Sequence, residues 1–216
     1  MARGDTLIIF VRQPALGRVK RRLARAIGMI AARRVYDALT RRALARLGRD
    51  GRWRTVLAVT PDGARWRAWG GVARAPQGDG DLGTRMAAAL RAHARPRAVL
   101  VGSDIPDMTP DAIARAFAAL GRARVVFGPA VDGGYWLIGW RRGAWPYDAL
   151  TRVRWSTVHA LADSRAGLGR VPVALVDRLA DLDDAAAYRA FSRASSSAAR
   201  SSRGTASPRR AARSSG

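Results

Sequence analysis

The chain has 216 residues, 48% of them hydrophobic and 25% charged, a balance that suits a globular core and excludes a wholly disordered chain. With no cysteine and only His93 and His159 for imidazole, it cannot form disulfides, thiolate metal sites, thiol nucleophiles or a multi-histidine zinc centre. Carboxylates remain as metal ligands, which points to Mg²⁺ or Mn²⁺. The formal net charge is +23, a field that attracts phosphates, nucleic acid or anionic membranes without specificity. Part of that charge is a compositional bias toward arginine and alanine, since Lys20 is the only lysine.

The first apolar run, Leu7 to Val11, follows Asp5 and is strand-sized, so it reads as neither signal peptide nor membrane anchor, and a cytoplasmic location is expected. Thr6–Val11 predicts a strand covered on both faces. Val35, Leu39, Ala43 and Leu47 then recur at helical spacing. Thr55–Thr60 predicts a second strand, closed by the turn Pro61-Asp62-Gly63. The segment from Gly71 to Pro76 makes a poor strand. Leu82, Met86 and Leu90 stripe a helix, and Ala98–Val101 is the next strand. Thr109-Pro110-Asp111 reads as N-cap and first turn of a helix whose buried stripe is Ile113, Phe117 and Leu120. Strands at Arg124–Phe127 and Tyr135–Ile138, a helix near Ser156–Ala166 and a strand at Pro172–Val176 follow. Such alternation predicts an α/β fold: a mostly parallel central sheet between two layers of helices. Residues 192–216, rich in Ser, Arg and Ala and lacking large apolar side chains, are expected to form a disordered basic tail after a domain spanning 1–191.

In folds of this class ligands sit outside the carboxyl ends of the strands, and four loops at or near those ends, rich in Gly, Asp or basic residues, are the candidates for chemistry. After the first strand, the loop from Pro14 through Gly17 to Arg22 sets Arg18, Lys20 and Arg22 beside a helix start, a combination suited to phosphate oxygens. It lacks the spaced glycines and Lys-Ser/Thr pair of a Walker A loop. Asp104, in Gly102-Ser103-Asp104-Ile105-Pro106-Asp107, lies just past an apolar strand and is the candidate metal ligand; Asp107 serves equally well as a helix-terminal charge. Asp132-Gly133-Gly134-Tyr135 lets backbone approach a ligand beside a carboxylate, although Asp-Gly is also a plain hairpin turn. Finally, Gly78, Gly80 and Gly83 imitate the G-x-G-x-x-G of dinucleotide-binding proteins. The poor preceding strand and the acids Asp79 and Asp81, which would oppose a pyrophosphate, make a hydride-transfer enzyme a minor alternative.

Taken in order, the segments PALGRVKRRL, QGDGDLGTRM, VGSDIPDMTP and GPAVDGGYWLIG, with Trp155-Ser156-Thr157 and Asp181-Leu182-Asp183, resemble a family of small bacterial transferases. This is DUF2064, with the nucleotide-diphospho-sugar transferase (GT-A) fold, whose members are described as glycosyltransferases associated with radical-SAM proteins and arsenosugar-type pathways. Phospholactate and molybdopterin guanylyltransferases are its cousins. The resemblance implies that Pro14, Gly17, Arg18, Lys20 and Arg22 grip the nucleotide phosphates. It places Gln77, Gly80, Asp81 and Gly83 near base and ribose, and makes Asp104 and Asp183 the metal ligands. Asp132, Gly133, Gly134, Tyr135, Trp155, Ser156 and Thr157 would face the acceptor. Two departures stand out: Arg21 follows the loop lysine where a small hydroxyl residue is usual, and the late Asp-x-Asp-Thr-Pro pattern has become Asp181-Leu182-Asp183-Asp184-Ala185.

The expected activity is metal-dependent glycosyl transfer from a nucleotide-diphospho-sugar to a small acceptor. Lys20 and Arg18 would hold the departing diphosphate and Asp132 would orient the acceptor hydroxyl, making Asp104, Asp132 and Lys20 the catalytic set. Nucleotidyl transfer with release of pyrophosphate uses the same metal logic and is the alternative. A third class is a basic nucleic-acid-binding protein, in which Arg65-Trp66-Arg67-Ala68-Trp69 would stack on bases. No nucleic-acid motif accompanies that segment, so such binding is expected to be non-specific at most.

Overall fold

The computed structural model of the chain describes residues 4–143 and 148–193. Among these, seven strands form one sheet: β1 (Thr6–Arg12), β2 (Arg54–Thr60), β3 (Ala73–Pro76), β4 (Arg97–Gly102), β5 (Val125–Pro129), β6 (Tyr135–Arg141) and β7 (Val173–Leu175). Their order is β3-β2-β1-β4-β6-β5-β7. β6 runs antiparallel to both its neighbours, β4 and β5, and every other pair is parallel. The helices are α1 (Arg21–Ile27), α2 (Met29–Leu47), α3 (Leu82–His93), α4 (Pro110–Ala119) and α5 (Ala160–Gly167), and residues 185–193 are again helical. No helix among the described residues is long and apolar enough to cross a membrane.

Alternation along β1 explains the layering. Leu7, Ile9 and Val11 join the core beneath α2 and α4, with Leu44, Leu47, Ile113 and Phe117. Ile8 points the other way, into the core beneath α3 and α5 with Met86, Leu90 and Ala160, and Phe10 packs against it. A strand covered on both sides has no polar face to show, hence its unbroken apolar run. A third cluster joins Leu23 of α1 and Leu39 of α2 to Leu182, with Tyr188 and Phe191 packed on it, so the end of the described chain folds back over α1 and α2. α4 starts where its sequence predicts: the Thr109 hydroxyl accepts a hydrogen bond from the Ala112 N–H at 3.2 Å, with Pro110 in the first turn. Below the sheet, Arg97 donates to both oxygens of fully buried Asp5 at 2.8 and 2.6 Å and to the Phe117 carbonyl at 2.9 Å, tying β1, β4 and α4 together.

Four expectations need correction. Residues 73–76 are a strand after all. β3 lies at the sheet edge, pairs only with β2 and is mostly exposed, so it needs no apolar alternation and tolerates Pro76 at its end. The last helix of the core begins at Ala160, not Ser156, because residues 156–159 form a turn in which Ser156 has φ 62°. Trp66 and Trp69 are not free to stack on bases: Trp69 is buried, and the Trp66 indole donates to Asp37 at 2.8 Å. Ser192 and Arg193, expected in a disordered tail, still belong to the terminal helical stretch; the rest of the expected tail, 194–216, lies outside the described residues.

Candidate active site

Past β1 the chain turns through Gln13–Val19 and reaches Lys20, the residue before α1. Lys20 adopts φ 49° and ψ 48°, a left-handed conformation unfavourable for a residue with a Cβ. Among the described residues only Lys20 and Ser156 do this outside glycine, and both border the cleft at the carboxyl edge of the sheet. Strained residues persist where their surroundings over-determine them. For Lys20 the surroundings are carboxylates: its ammonium donates to Asp104 at 2.6 Å and to Asp183 at 3.5 Å, with the side chain 2% exposed. Asp104 comes from the end of β4, 84 residues away, and the Leu182 N–H donates to its carbonyl at 3.2 Å, docking the Asp181–Asp183 segment against it. Burial alone would lower the lysine pKa, but Asp104, then Asp183 and Asp181, outweigh it and hold Lys20 above its ordinary value.

Around this ion pair opens a cavity of about 370 Å³. Arg12, Arg18, Lys20, Arg85, Asp104 and Asp183 are the charged groups of its wall, and Gln77 and Ser103 line it too. Its floor is fixed by Tyr36, whose phenolic oxygen accepts from the Arg12 N–H at 2.8 Å and from the Ser103 hydroxyl at 3.2 Å, joining the ends of β1 and β4 through α2. Gln77 is buried, and its amide donates to the carbonyls of Val11 and Ala58. The remaining amide oxygen accepts from Arg85 at 2.8 Å, which aims that guanidinium along the cavity wall.

A second cavity, about 210 Å³, adjoins the first at Asp104, Gly102, Leu82 and Met86. Its walls carry Asp132, Asp181, Tyr135, Trp136, Trp155, Ser156 and Thr157. The β5–β6 turn forms one lip. Asp132 Oδ1 accepts from the Gly134 N–H at 2.9 Å, and Gly133 has φ 89° with a would-be Cβ 2.4 Å from the Val158 carbonyl oxygen, so only glycine fits there. Burial, then the neighbouring carboxylates of Asp132 and Asp104, raises the pKa of Asp181 above the usual carboxylate range.

The sequence-predicted residues divide accordingly. Arg18, Lys20, Gln77, Asp104 and Asp183 line the first cavity, and Asp132, Gly134, Tyr135, Trp155, Ser156 and Thr157 the second. Pro14, Gly17, Arg22, Gly80, Asp81, Gly83 and Gly133 lie outside both linings. Arg22 is 66% exposed and reaches Asp183 and Asp184 at 3.6 and 3.7 Å. Asp81 caps α3, accepting from the Thr84 N–H at 2.7 Å, so a carboxylate fills the helix terminus where a dinucleotide's pyrophosphate would sit. Gly83 is a packing glycine, its would-be Cβ 2.5 Å from the Leu150 carbonyl oxygen. Asp107 is exposed on the turn before α4. Sequence reasoning missed Arg12, Tyr36, Arg85 and Trp136; only the Asp-x-Asp spacing hinted at Asp181. Among the described residues no three acidic or histidine side chains converge to hold a metal unaided. Asp104 and Asp183 nevertheless meet on one cation, the Lys20 ammonium, and two carboxylates completed by water and substrate phosphate suit Mg²⁺ or Mn²⁺.

Comparison with known proteins extends this picture. Residues 43–157 match the family described as "Uncharacterized protein conserved in bacteria (DUF2064)". No curated protein matches the chain. Among solved structures, a candidate nucleotide-diphospho-sugar transferase from Desulfovibrio desulfuricans G20 is 29% identical, with TM-score 0.74 over 85% of this chain and 84% of that one. Rv0371c from Mycobacterium tuberculosis H37Rv, solved as a complex with manganese, is 20% identical, with TM-score 0.50 over 88% and 97%. CMP:2-keto-3-deoxy-manno-octonic acid synthetase, complexed with CTP, is 11% identical, with TM-score 0.54 over 90% and 99%. The last two likenesses are of fold alone.

Proposed function

The chain belongs to the DUF2064 family, and from that premise we propose that it is a transferase using a nucleotide-activated donor, specifically a glycosyltransferase acting from a nucleotide-diphospho-sugar. One observation carries the reading: a cavity walled by Arg12, Arg18, Lys20 and Arg85 meets an aromatic, carboxylate-bearing cavity at Asp104. An anionic donor and a hydroxyl acceptor need such adjoining compartments, with the reacting atoms at their junction.

In this reading Arg12 and Arg18 neutralise the donor phosphates, and Arg85, steadied by Gln77, contacts the nucleoside end. Lys20 is near enough to the junction for its ammonium to meet the leaving diphosphate. Asp104 and Asp183 are the residues that would hold Mg²⁺ or Mn²⁺. The ion supplies charge stabilisation to the leaving phosphate oxygens when bound. Asp132 keeps Oδ1 on the Gly134 N–H, leaving Oδ2 to accept the proton of the acceptor hydroxyl. The acceptor oxygen bonds to the anomeric carbon as the carbon–oxygen bond to the diphosphate breaks, and the nucleoside diphosphate departs. The likeness to the Desulfovibrio protein supports this choice over nucleotidyl transfer.

Incubating the protein and Mn²⁺ with small hydroxylated acceptors and either nucleotide-sugars or nucleoside triphosphates tests it. Acceptor-dependent release of nucleoside diphosphate is expected. Pyrophosphate release from triphosphates in its place would show the nucleotidyl reaction.

A further inference from the structure

The two cavities divide charge in opposite senses. In a chain with 39 basic and 16 acidic residues, the first cavity presents four cationic side chains, Arg12, Arg18, Lys20 and Arg85, against two carboxylates. The second presents three carboxylates, Asp104, Asp132 and Asp181, and its lining contains no arginine, lysine or histidine. A pocket that stays free of cations amid such an excess is selective against negative charge. With the Lys20 ammonium paired to Asp104, Asp132 and Asp181 still face a pocket whose own lining holds no cation.

The walls supply the complementary half. Tyr135 and Trp155 meet edge to face, ring centroids 6.2 Å apart, and Trp136 adds a third ring. Aromatic faces beside carboxylates bind the C–H faces of hydroxylated rings and attract ammonium groups through the ring quadrupole. A phosphate or carboxylate placed there would lose its hydration and meet like charge without a donor to replace the water. We infer that the acceptor is a small hydroxylated molecule carrying no negative charge, with a cationic amine favoured, and that phosphorylated acceptors are excluded. The inference rests on assigning this cavity to the acceptor, and it narrows that assignment to a charge class.

Three matched probes test it: glucosamine, glucose and glucose 6-phosphate, titrated into the full-length protein while the fluorescence of the wall tryptophans is followed. Affinity should fall in that order, with roughly ten-fold between the extremes, the size of one charge-assisted hydrogen bond. In Asp132→Asn and Asp181→Asn the ratio should collapse toward one. Asp132 is exposed on a turn, so at least that variant should fold, and melting temperature verifies it for both. Equal responses to the three probes, including none from any, overturn the inference, as does preference for the phosphate or an order unchanged in both variants. Donor binding is measured separately, by the thermal shift with nucleoside diphosphates. A missing donor shift counts against the transferase reading, whereas a flat probe series counts against the acceptor class alone.

Discussion

Asp104→Asn separates the chemistry of the site from its architecture. The amide keeps the carboxylate's shape and an oxygen for the Lys20 ammonium, now 2.6 Å away, and Asp183 remains at 3.5 Å. The bond to the ammonium stays charge-assisted and the ion-pair attraction is what is lost; for a pair between the exposed case, about 0–1 kcal/mol, and the buried case, about 3–5 kcal/mol, the substitution should cost roughly 1–2 kcal/mol. At roughly 2–4 °C per kcal/mol for a chain of this size, the ligand-free protein should melt about 2–8 °C lower and still unfold cooperatively. Ligand at a hundred times its Kd adds about 2.7 kcal/mol, or roughly 5–10 °C by the same conversion. The assay is thermal unfolding of both proteins with buffer, with Mn²⁺, with nucleoside diphosphate and with both. Wild type should show an increment from Mn²⁺ in the presence of nucleotide, which Asp104→Asn should lose. A variant retaining the full Mn²⁺-dependent increment would refute the metal assignment.

Other expectations follow from the same geometry. Arg97→Leu strands the buried Asp5 carboxylate and should cost about 3–5 kcal/mol in a urea titration; a loss under about 1 kcal/mol would refute the pair as a source of stability. Gly83→Ala drives a methyl against the Leu150 carbonyl and the Trp155 ring, so it should destabilise by about 1–3 kcal/mol and alter tryptophan fluorescence. Asp81→Ala removes the α3 cap for about 1 kcal/mol, most of which Asp81→Asn should restore, as read by melting temperature. Burial, then Arg54, lowers the pKa of His93, so its neutral form is favoured in the folded state. Its contribution is therefore complete above the unfolded value near 6.5 and is lost as pH falls through the lower folded value. His93→Gln should flatten that acid-side slope in melting temperature; an unchanged slope would assign it to other groups.

Much of the fold was legible because the buried strands are covered on both faces and so write unbroken apolar runs, as Leu7–Val11 and Ala98–Val101 do. β3 was not, since an edge strand with one partner and an exposed surface is under no such constraint. Asp104 stood out through its place after an apolar strand, and Lys20 through being the only lysine. Their direct contact was beyond sequence reading, because nothing local specifies a pair 84 residues apart in the chain. The same applies to Arg85. Its arginine is one among many, and only the hydrogen bond from its guanidinium to the Gln77 amide oxygen distinguishes it. From sequence both Gln77 and Asp81 are expected to face ligand, yet Gln77 spends its amide on the Val11 and Ala58 carbonyls and Arg85, and Asp81, outside both cavities, caps α3.

The reversed direction of β6 has a practical corollary. Parallel strands must be joined by long crossovers packed on the sheet, so altering one disturbs the core. The passage from Pro129 to Tyr135 is instead a short turn at the mouth of the cleft, anchored by Ala130 N–H to the Gly134 carbonyl at 2.9 Å. Exposed Val131 at its tip can be exchanged while the hydrogen-bond ladders on either side stay in register, whereas Asp132 and Gly133 are held by the contacts described above. That makes Val131 the place to reshape the mouth of the cleft while the first cavity keeps its lining.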